Sequence, residues 1–457
     1  MKEYDIAVVG GGLSGYTAAL QAASVGARTC LVEKDQLGSA FLYRGSFRLH
    51  TVLGWLRVLE SIQPASQVGI SIAKNGAPDL ENLFNRSGEA AEAQAASWQK
   101  NLEEKGVSLK FGIGRLAGKK ELIVGEEGKE EIIKSEKIIL APGSVPCSNP
   151  SIPFDHERIL SPDDIHCLKE IPETILIVGG GKVGCEIATL MNKLGSKVFV
   201  SEVETRLLPN FDPEITTRLE GVMKKNKVKL LLNKKIISYL KTDQQIEITL
   251  DGSVKFSVKK MVLLGDRSPA TKDIHLDGTG IRSGEYGEIW INDSMETSTP
   301  GIFAIGTATG RNFSTYHSER EARVAVSSAL GKARSISEEI IPLTIHCDPE
   351  IASVGCFEEE AHHKGFRAVC GSAGGGPYSA LDENSLIKIV ADRESKKIIG
   401  AHILGSHAAD LISLLVLAMR KDLTVGALAN ISCDWPSPWQ GVREAAQSIV
   451  KPMAARP

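Results

Sequence analysis

The sequence predicts an α/β protein with two dinucleotide-binding units followed by a C-terminal α+β region. A glycine fingerprint of the form G-x-G-x-x-G occurs twice, each time between an apolar strand and a helix. In both copies the next strand ends at a glutamate. The chain has 457 residues, and at roughly 100–200 residues per domain this length suggests about three domains.

The first fingerprint consists of Gly10, Gly12 and Gly15, after the strand at 5–9, and Glu33 closes the following strand. Glycines at these positions allow a tight turn and let the backbone approach a pyrophosphate at the helix N-terminus. The carboxylate then accepts hydrogen bonds from ribose hydroxyls.

The second fingerprint consists of Gly179, Gly181 and Gly184, after the strand at 174–178, and Glu202 closes the next strand. Either loop alone is also compatible with a tight βα turn that binds nothing. Two copies in the same context favour two bound dinucleotides, which indicates an electron-transfer enzyme.

Composition narrows the remaining function classes. Hydrophobic residues make up 42% and charged residues 24% of the chain, as in ordinary globular proteins. A net charge of -3 gives no electrostatic footprint for nucleic acid or an anionic membrane. The apolar stretch at 411–419 is too short to span a bilayer, and the N-terminus has no secretory leader pattern, so a cytoplasmic location is expected. The eight cysteines form no close pair, and no metal site is expected.

Periodicity and turn residues place the elements along the chain. Helices are predicted at 53–59, 88–105, 318–330, 408–419 and 441–450. Beyond the fingerprints, strands are predicted within 107–124 and at 138–144, 228–232, 246–250, 299–306, 385–392 and 397–404.

The order of these pieces resembles the FAD-dependent pyridine nucleotide-disulfide oxidoreductases, the family of dihydrolipoamide dehydrogenase, glutathione reductase and mercuric reductase. The resemblance covers essentially the whole chain. Besides the fingerprints, it rests on IILAPGSVP at 138–146, LLGDRSPAT at 263–271, TSTPGIFAIG at 297–306, PEIASVG at 349–355 and IIGAHILGSHAADLI at 398–412.

The resemblance implies an α/β fold of two Rossmann-like domains, one for FAD and one for NAD, plus a C-terminal α+β dimerisation domain. It assigns 1–150 and 268–335 to FAD, 151–267 to NADH and 336–457 to a homodimer interface. Further FAD-binding positions implied in this way are Ala141, Gly143, Gly306 and Thr307.

Two departures concern the chemistry of the family. Its redox-active cysteines fall here on Phe41 and Ser46, which cannot take part in thiol-disulfide exchange. Its C-terminal histidine and glutamate fall on Trp435 and Gln440, and neither an indole nor an amide can act as the base. We therefore expect no dithiol chemistry.

Two further departures concern the cofactors. The family's lysine beside the flavin falls on His50, while its glutamate partner is retained as Glu186. A His50–Glu186 hydrogen bond could orient a group there and titrate near neutral pH, or His50 could simply cap or pack a helix. Thr307 stands where the family has an aspartate for the ribityl chain, so FAD binds more weakly or not at all.

The charge at the end of the second strand predicts which nicotinamide cofactor binds. Glu202 welcomes a free ribose 2′-hydroxyl and repels a 2′-phosphate, which predicts NADH. Arg206 either blunts this preference or is a solvated surface charge. Lys182 either meets the cofactor phosphates or is exposed.

Two classes of function follow. The first is a flavoenzyme that takes hydride from NADH and passes electrons to a small-molecule acceptor: a quinone, a dye or a second nicotinamide. Trp435 and Phe41 make the acceptor side aromatic, which suits a flat ring. The second is a catalytically inactive homologue that senses nucleotide or binds a partner such as a lipoyl-bearing protein.

Overall fold

The computed structural model describes residues 3–62, 78–125, 128–311, 314–332, 340–374 and 384–454. The strands in chain order are β1 Glu3–Val9, β2 Thr29–Glu33, β3 Ser108–Phe111, β4 Gly114–Leu116, β5 Glu121–Val124, β6 Glu131–Leu140, β7 Ser144–Pro146, β8 Ile159–Leu160, β9 Thr174–Val178, β10 Lys197–Glu202, β11 Lys229–Leu232, β12 Ile236–Lys241, β13 Ile246–Leu250, β14 Lys255–Val258, β15 Lys260–Leu263, β16 Arg267–Pro269, β17 Ile302–Ala304, β18 Leu343–Ile345, β19 Ile351–Gly355, β20 Ala368–Ala373, β21 Leu386–Asp392 and β22 Ile398–Leu404. The α-helices are α1 Leu13–Ser24, α2 Ser46–Ile62, α3 Leu80–Glu104, α4 Lys182–Lys193, α5 Pro213–Lys225, α6 Thr315–Ala329, α7 Glu358–His363, α8 Ala408–Arg420, α9 Val425–Ala429 and α10 Trp439–Ala454.

The first sheet has the strand order β3-β2-β1-β6-β5-β4. Its strands β3, β2, β1 and β6 are parallel, and α1 carries the chain across between β1 and β2. Along one edge of β6, β5 pairs antiparallel with the first half and β17 pairs parallel with the second half. The sheet therefore joins the N-terminal segment to a strand that lies beyond the second unit.

The second sheet has the order β11-β10-β9-β15-β8, and its strands are all parallel. Its strands β9 and β10 are connected through α4, and α5 connects β10 to β11, so the unit repeats the βαβ arrangement of the first sheet. A small antiparallel sheet, β12-β13-β14, packs beside it.

The third sheet is antiparallel, in the order β18-β19-β22-β21-β20. The apolar faces of α8, α9 and α10 pack against it and share one core with it. A separate core includes residues of α2, of the second unit and of the third sheet, so the three parts meet in the interior.

These features confirm the predicted fold class, although several predicted bounds change. The helix expected at 53–59 runs from Ser46 to Ile62 and therefore includes His50. Within the segment expected to form paired strands, β3 instead joins the parallel part of the first sheet, and only β4 and β5 form a hairpin. The helix expected at 318 begins at Thr315, where the Ser314 side chain caps it.

Candidate functional site

A cavity of about 540 Å³ runs from the first glycine loop to the edge of the second unit. Its volume is typical of sites that hold a cofactor-sized ligand. The predicted positions that line it are Gly10, Gly12, Glu33, Ala141, Gly143, Glu186, Gly306 and Thr307. Glu186 comes from α4, so residues from both units contribute to the wall.

The three glycines of the first loop are needed for different reasons. A Cβ on Gly10 would lie 2.1 Å from the Ala141 carbonyl oxygen, and a Cβ on Gly15 would lie 1.7 Å from the Gly10 carbonyl oxygen. These two positions allow the strand and helix to approach each other. A Cβ on Gly12 would meet no atom within 4 Å, and Gly12 lines the cavity, so its missing side chain leaves room for a ligand.

The second loop repeats this division. A Cβ on Gly184 would lie 2.1 Å from the Gly179 carbonyl oxygen, whereas a Cβ on Gly181 would meet nothing within 4 Å. Gly12 and Gly181 are the N-caps of α1 and α4, and neither helix has a side-chain hydrogen bond at its cap. The first amides of both helices therefore point toward a place where phosphate can bind.

The two fingerprint glutamates hold their own glycine loops. Glu33 Oε2 accepts from the Gly11 amide at 2.6 Å, and Glu202 Oε2 accepts from the Gly180 amide at 2.6 Å. Burial raises the pKa of Glu33 above its ordinary value, although amide hydrogen bonds from Asp35 and Gly11 act in the opposite direction. Both carboxylates thus fix the loop at the end of the strand where a ribose would bind.

The expectation that Arg206 is a solvated surface charge is wrong. Its half-buried guanidinium donates to the carbonyl oxygens of Phe211 and Pro209 and to the Thr216 hydroxyl. These bonds tie Arg206 to the segment before α5 and to α5 itself. Lys182 is also half-buried, in the first turn of α4. Its positive charge helps to lower the pKa of Glu186.

The wall that includes Phe41 is aromatic. Phe41 lies in a π-helical turn, Ala40–Arg44, and its ring is parallel to that of Trp98, with 6.1 Å between centroids. Trp98 stacks in turn on Tyr16 at 4.1 Å. Ser46 begins α2 and also lines the cavity. Among the described residues, no cysteine lines this cavity.

His50 and Glu186 meet as the sequence predicts. His50 Nε2 lies 3.2 Å from Glu186 Oε1, and Glu186 is only 1% exposed. Burial raises the pKa of Glu186, but the His50 hydrogen bond and nearby positive charges hold it below its ordinary value. Burial also lowers the pKa of His50, which favours the neutral ring and differs from the expected titration near neutral pH.

A second histidine completes this cluster. His346, directly after β18, donates its amide to Glu186 Oε1 at 3.0 Å, and its ring lies 4.1 Å from that of His50. Its Nδ1 is 2.9 Å from Glu350 Oε1, which also accepts from Arg57. The His50–Glu186 pair is therefore held by residues from all three parts of the chain. Only a weak signal for these residues is present in the sequence, since Glu350 lies in the PEIASVG stretch and His346 belongs to no motif.

The turn at Gly306 and Thr307 is held from behind by a residue that the motifs did not indicate. Glu321, on α6, accepts from the Gly306 amide at 2.6 Å. It is 3% exposed and does not line the cavity. No sequence motif identifies this carboxylate, because only the packing of α6 places it there.

Trp435 and Gln440 lie outside the cavity of this chain. Trp435 is 75% exposed, in the loop before α10, and Gln440 is buried in the first turn of that helix. Trp435 therefore has no place in the cavity of its own subunit.

Family models and related proteins of known name agree on the family to which this chain is similar. Residues 4–329 match the family described as pyridine nucleotide-disulphide oxidoreductase, and residues 341–445 match its dimerisation domain. The chain is 30% identical over 466 residues to a dihydrolipoyl dehydrogenase of Bacillus subtilis (strain 168), with 97% of each chain covered. It is also 30% identical to a dihydrolipoyl dehydrogenase of Chlorobaculum tepidum, and that alignment covers 99% of this chain and 98% of the relative.

This chain belongs to the pyridine nucleotide-disulphide oxidoreductase family. Its fold is shared with LpdA from Mycobacterium tuberculosis, at a TM-score of 0.89 and 23% identity, with 98% and 99% of the two chains covered. The flavoprotein disulfide reductase RclA from Escherichia coli gives a TM-score of 0.87 at 21% identity, with the same coverage. The match to the dimerisation domain supports a homodimer.

The family binds FAD and NAD(H), and the residues of this chain fit both. Gly12 leaves space beside uncapped amides of α1, and Gly181 does the same at α4. In the described part of the chain, no helix has the length and apolar character needed to cross a membrane. Nor do the described residues contain a cluster of histidine, cysteine and carboxylate ligands suited to a metal ion.

Proposed function

We propose that this chain is an FAD-dependent NADH oxidoreductase that passes electrons to a small non-disulfide acceptor, namely a quinone, a dye or a second nicotinamide. The observation that carries the proposal is the composition of the cavity wall at Phe41 and Ser46. Neither residue supplies a thiolate, and no cysteine of the described residues lines this wall, which supports an acceptor other than a disulfide.

The aromatic wall supports a ring-shaped acceptor. Phe41 is partly buried against the core and parallel to Trp98, so a ring that binds beside it meets an apolar aromatic surface. Offset stacking adds about 0.5–1.5 kcal/mol to the burial of such rings. When bound, FAD would supply the two-electron redox centre between NADH and the acceptor.

We assign cofactor positions within this proposal as the sequence suggested. The first fingerprint, with Ala141, Gly143, Gly306 and Thr307, would hold FAD. The second would hold NADH against Glu202. The domain bounds would be 1–150 with 268–335 for FAD, 151–267 for NADH and 336–457 for dimerisation. His50 and Glu186 would orient the groups between the two sites.

The proposal is tested by steady-state oxidation of NADH with a ring quinone in parallel with lipoamide. We expect quinone turnover, and lipoamide turnover at background. A Cys167→Ser variant serves as the control, because Cys167 is the exposed cysteine nearest this wall in sequence, and it should behave as wild type. Lipoamide turnover at ordinary enzyme rates, about 1–1000 per second, would contradict the proposal.

Trp435 is assigned a role across the homodimer. Its exposed indole would close the acceptor side of the partner's cavity, where the family places a base. Trp435→Ala should then change quinone turnover while rapid-mixing reduction by NADH stays nearly constant. Equal effects on both half-reactions would make Trp435 a packing residue.

A second candidate function is a catalytically inactive nucleotide sensor that binds a partner such as a lipoyl-bearing protein. It is favoured by Thr307, which lines the cavity without the charge found in the family. Addition of NADH without oxygen separates these two functions, since the yellow colour of the flavin is bleached in the enzyme and stays in the sensor.

A further inference from the structure

The short 3₁₀ turn Gly306–Thr309 forms part of the cavity wall through Gly306 and Thr307. The turn carries no carboxylate of its own, because position 307 is threonine. Its shape therefore depends on what holds its backbone.

Gly306 is held on each side. Its φ is +72°, and a Cβ there would lie 2.5 Å from Ser14 Oγ, so the turn packs directly on the start of α1. Its carbonyl accepts from the Thr309 hydroxyl at 3.0 Å, and its amide donates to Glu321 Oε2 at 2.6 Å. Of these two bonds at Gly306, the one to Glu321 comes from outside the turn, and the Ile289 amide donates to the Ala308 carbonyl farther along it.

Glu321 is a buried carboxylate with few compensating groups. Burial raises its pKa to about 7, while the Gly306 amide and the charge of Arg311 act in the opposite direction. On the same helix, burial lowers the pKa values of His317 and Arg320. The residues of this helix segment that do reach the cavity are Ser314, Thr315 and Ser318.

We infer that Glu321 is a positioning residue that holds the Gly306–Thr307 turn in the shape that receives FAD. It acts through the Gly306 amide and does not touch the cavity itself. The inference rests on FAD binding and is independent of the acceptor proposed above.

The charge of Glu321 sets the strength of this hold. An ionised carboxylate accepts a shorter and stronger hydrogen bond than a neutral acid does. Because Glu321 changes its protonation near neutral pH, FAD affinity should rise as the pH rises from 6 to 8. The difference in strength between a hydrogen bond to the ionised carboxylate and one to the neutral acid corresponds to about a fivefold change in FAD affinity.

The experiment is a titration of the apoprotein with FAD at pH 6, 7 and 8, followed by flavin fluorescence, with unfolding temperatures measured in parallel. Wild type should bind about fivefold more tightly at pH 8 than at pH 6. Glu321→Gln keeps the shape of the side chain but has no charge, so it should bind at the wild-type pH 6 level throughout. The matched control is Glu319→Gln on the same helix, which loses only an exposed pairing with Arg323 and should follow wild type.

Several results would overturn the inference. They are a wild-type affinity that is flat or falls with pH, a Glu321→Gln variant that keeps the wild-type pH dependence, or an equal effect of Glu319→Gln. If Glu321→Gln does not fold, the wild-type pH series decides the question alone. None of these results bears on the quinone assay, so this inference and the proposed function fail separately.

Discussion

At the scale of single residues, side chains that look alike in sequence have different tasks once their partners are known. Glu33 and Glu202 bond to the amides of their own loops, whereas Glu186 joins two histidines and Glu321 supports a turn. The Arg206 guanidinium, in turn, is bonded to the carbonyl oxygens of Phe211 and Pro209. The hydrogen-bond partner of each charged side chain decides its role. The position of the residue in the sequence does not reveal that partner.

The nicotinamide preference is expected to depend on Glu202. We expect wild type to bind NADH more tightly than NADPH, because a 2′-phosphate would lie against the Glu202 carboxylate. Glu202→Arg should flatten or reverse the preference, at some loss of loop stability since the Gly180 bond is removed. Binding titrations with both cofactors measure this.

The control for that measurement is Glu204→Gln, which alters an exposed carboxylate in the same segment and should keep the NADH preference. Tighter binding of NADPH by wild type would show that the second loop is assigned to the wrong cofactor.

At the scale of elements, the two βαβ turns combine a packing requirement with a binding requirement. Gly10, Gly15 and Gly184 allow backbone to approach backbone, while Gly12 and Gly181 leave open space. The fingerprint predicts both a tight turn and room for a pyrophosphate, and the geometry assigns these two tasks to different glycines. Two alanine variants, one at a packing glycine and one at an open glycine, test this difference.

Gly15→Ala should destabilise the fold strongly, by about 2–5 kcal/mol, because its Cβ would lie 1.7 Å from the Gly10 carbonyl oxygen. Gly12→Ala should change the free energy of unfolding by less than about 1 kcal/mol, since its φ of -68° suits any residue. It should instead weaken FAD binding. Denaturant unfolding of apoprotein and FAD titration measure the two effects, and equal stabilities of the two variants would contradict the division.

At the scale of the whole molecule, the three parts of the chain meet where His50, Glu186 and His346 converge. The match to the dimerisation domain supports a homodimer, and α8 offers an exposed apolar face at Leu414 and Leu417. Neighbouring exposed leucines on one helix face are compatible with an interaction surface.

We expect Leu414→Glu combined with Leu417→Glu to shift the protein from dimer to monomer, because two buried charges without partners would oppose association. Light scattering at micromolar concentration measures this. Leu240→Glu, at an equally exposed leucine of the second unit, should leave the dimer intact. A dimer that persists in the double variant would place the interface elsewhere.

Stability at acidic pH is also a property of the whole chain. Burial lowers the pKa of His50 and His402, and lowers that of His166 to about 4. The unfolded chain takes up these protons at about pH 6.5, so their contribution is present above that pH and is lost as the pH falls. Glu321 acts oppositely in the same window, since its raised pKa stabilises the protonated fold.

Four described histidines have a lowered pKa, His317 being the fourth, and three glutamates have a raised one, namely Glu33, Glu60 and Glu321. Because the histidines outnumber the glutamates, the free energy of unfolding should fall between pH 6.5 and 5 in denaturant titrations. Each fully titrating histidine contributes about 1.4 kcal/mol per pH unit. His166→Leu should reduce the slope, while the exposed His363→Leu should not. A slope that His166→Leu leaves unchanged would mean that His166 takes up its proton equally in both states.

The sequence by itself determined the two glycine loops and the βαβ order, because these depend on local backbone geometry and strand alternation, and it indicated the family through the resemblance of its motifs. It also placed His50 beside Glu186, but only through the resemblance. The tertiary structure alone decided that His346 and Glu350 join that pair, that Arg206 is tied to carbonyls, and that Glu321 lies behind Gly306. Those contacts join residues from separate elements, and their distances depend on how helices and sheets pack, which no local pattern encodes.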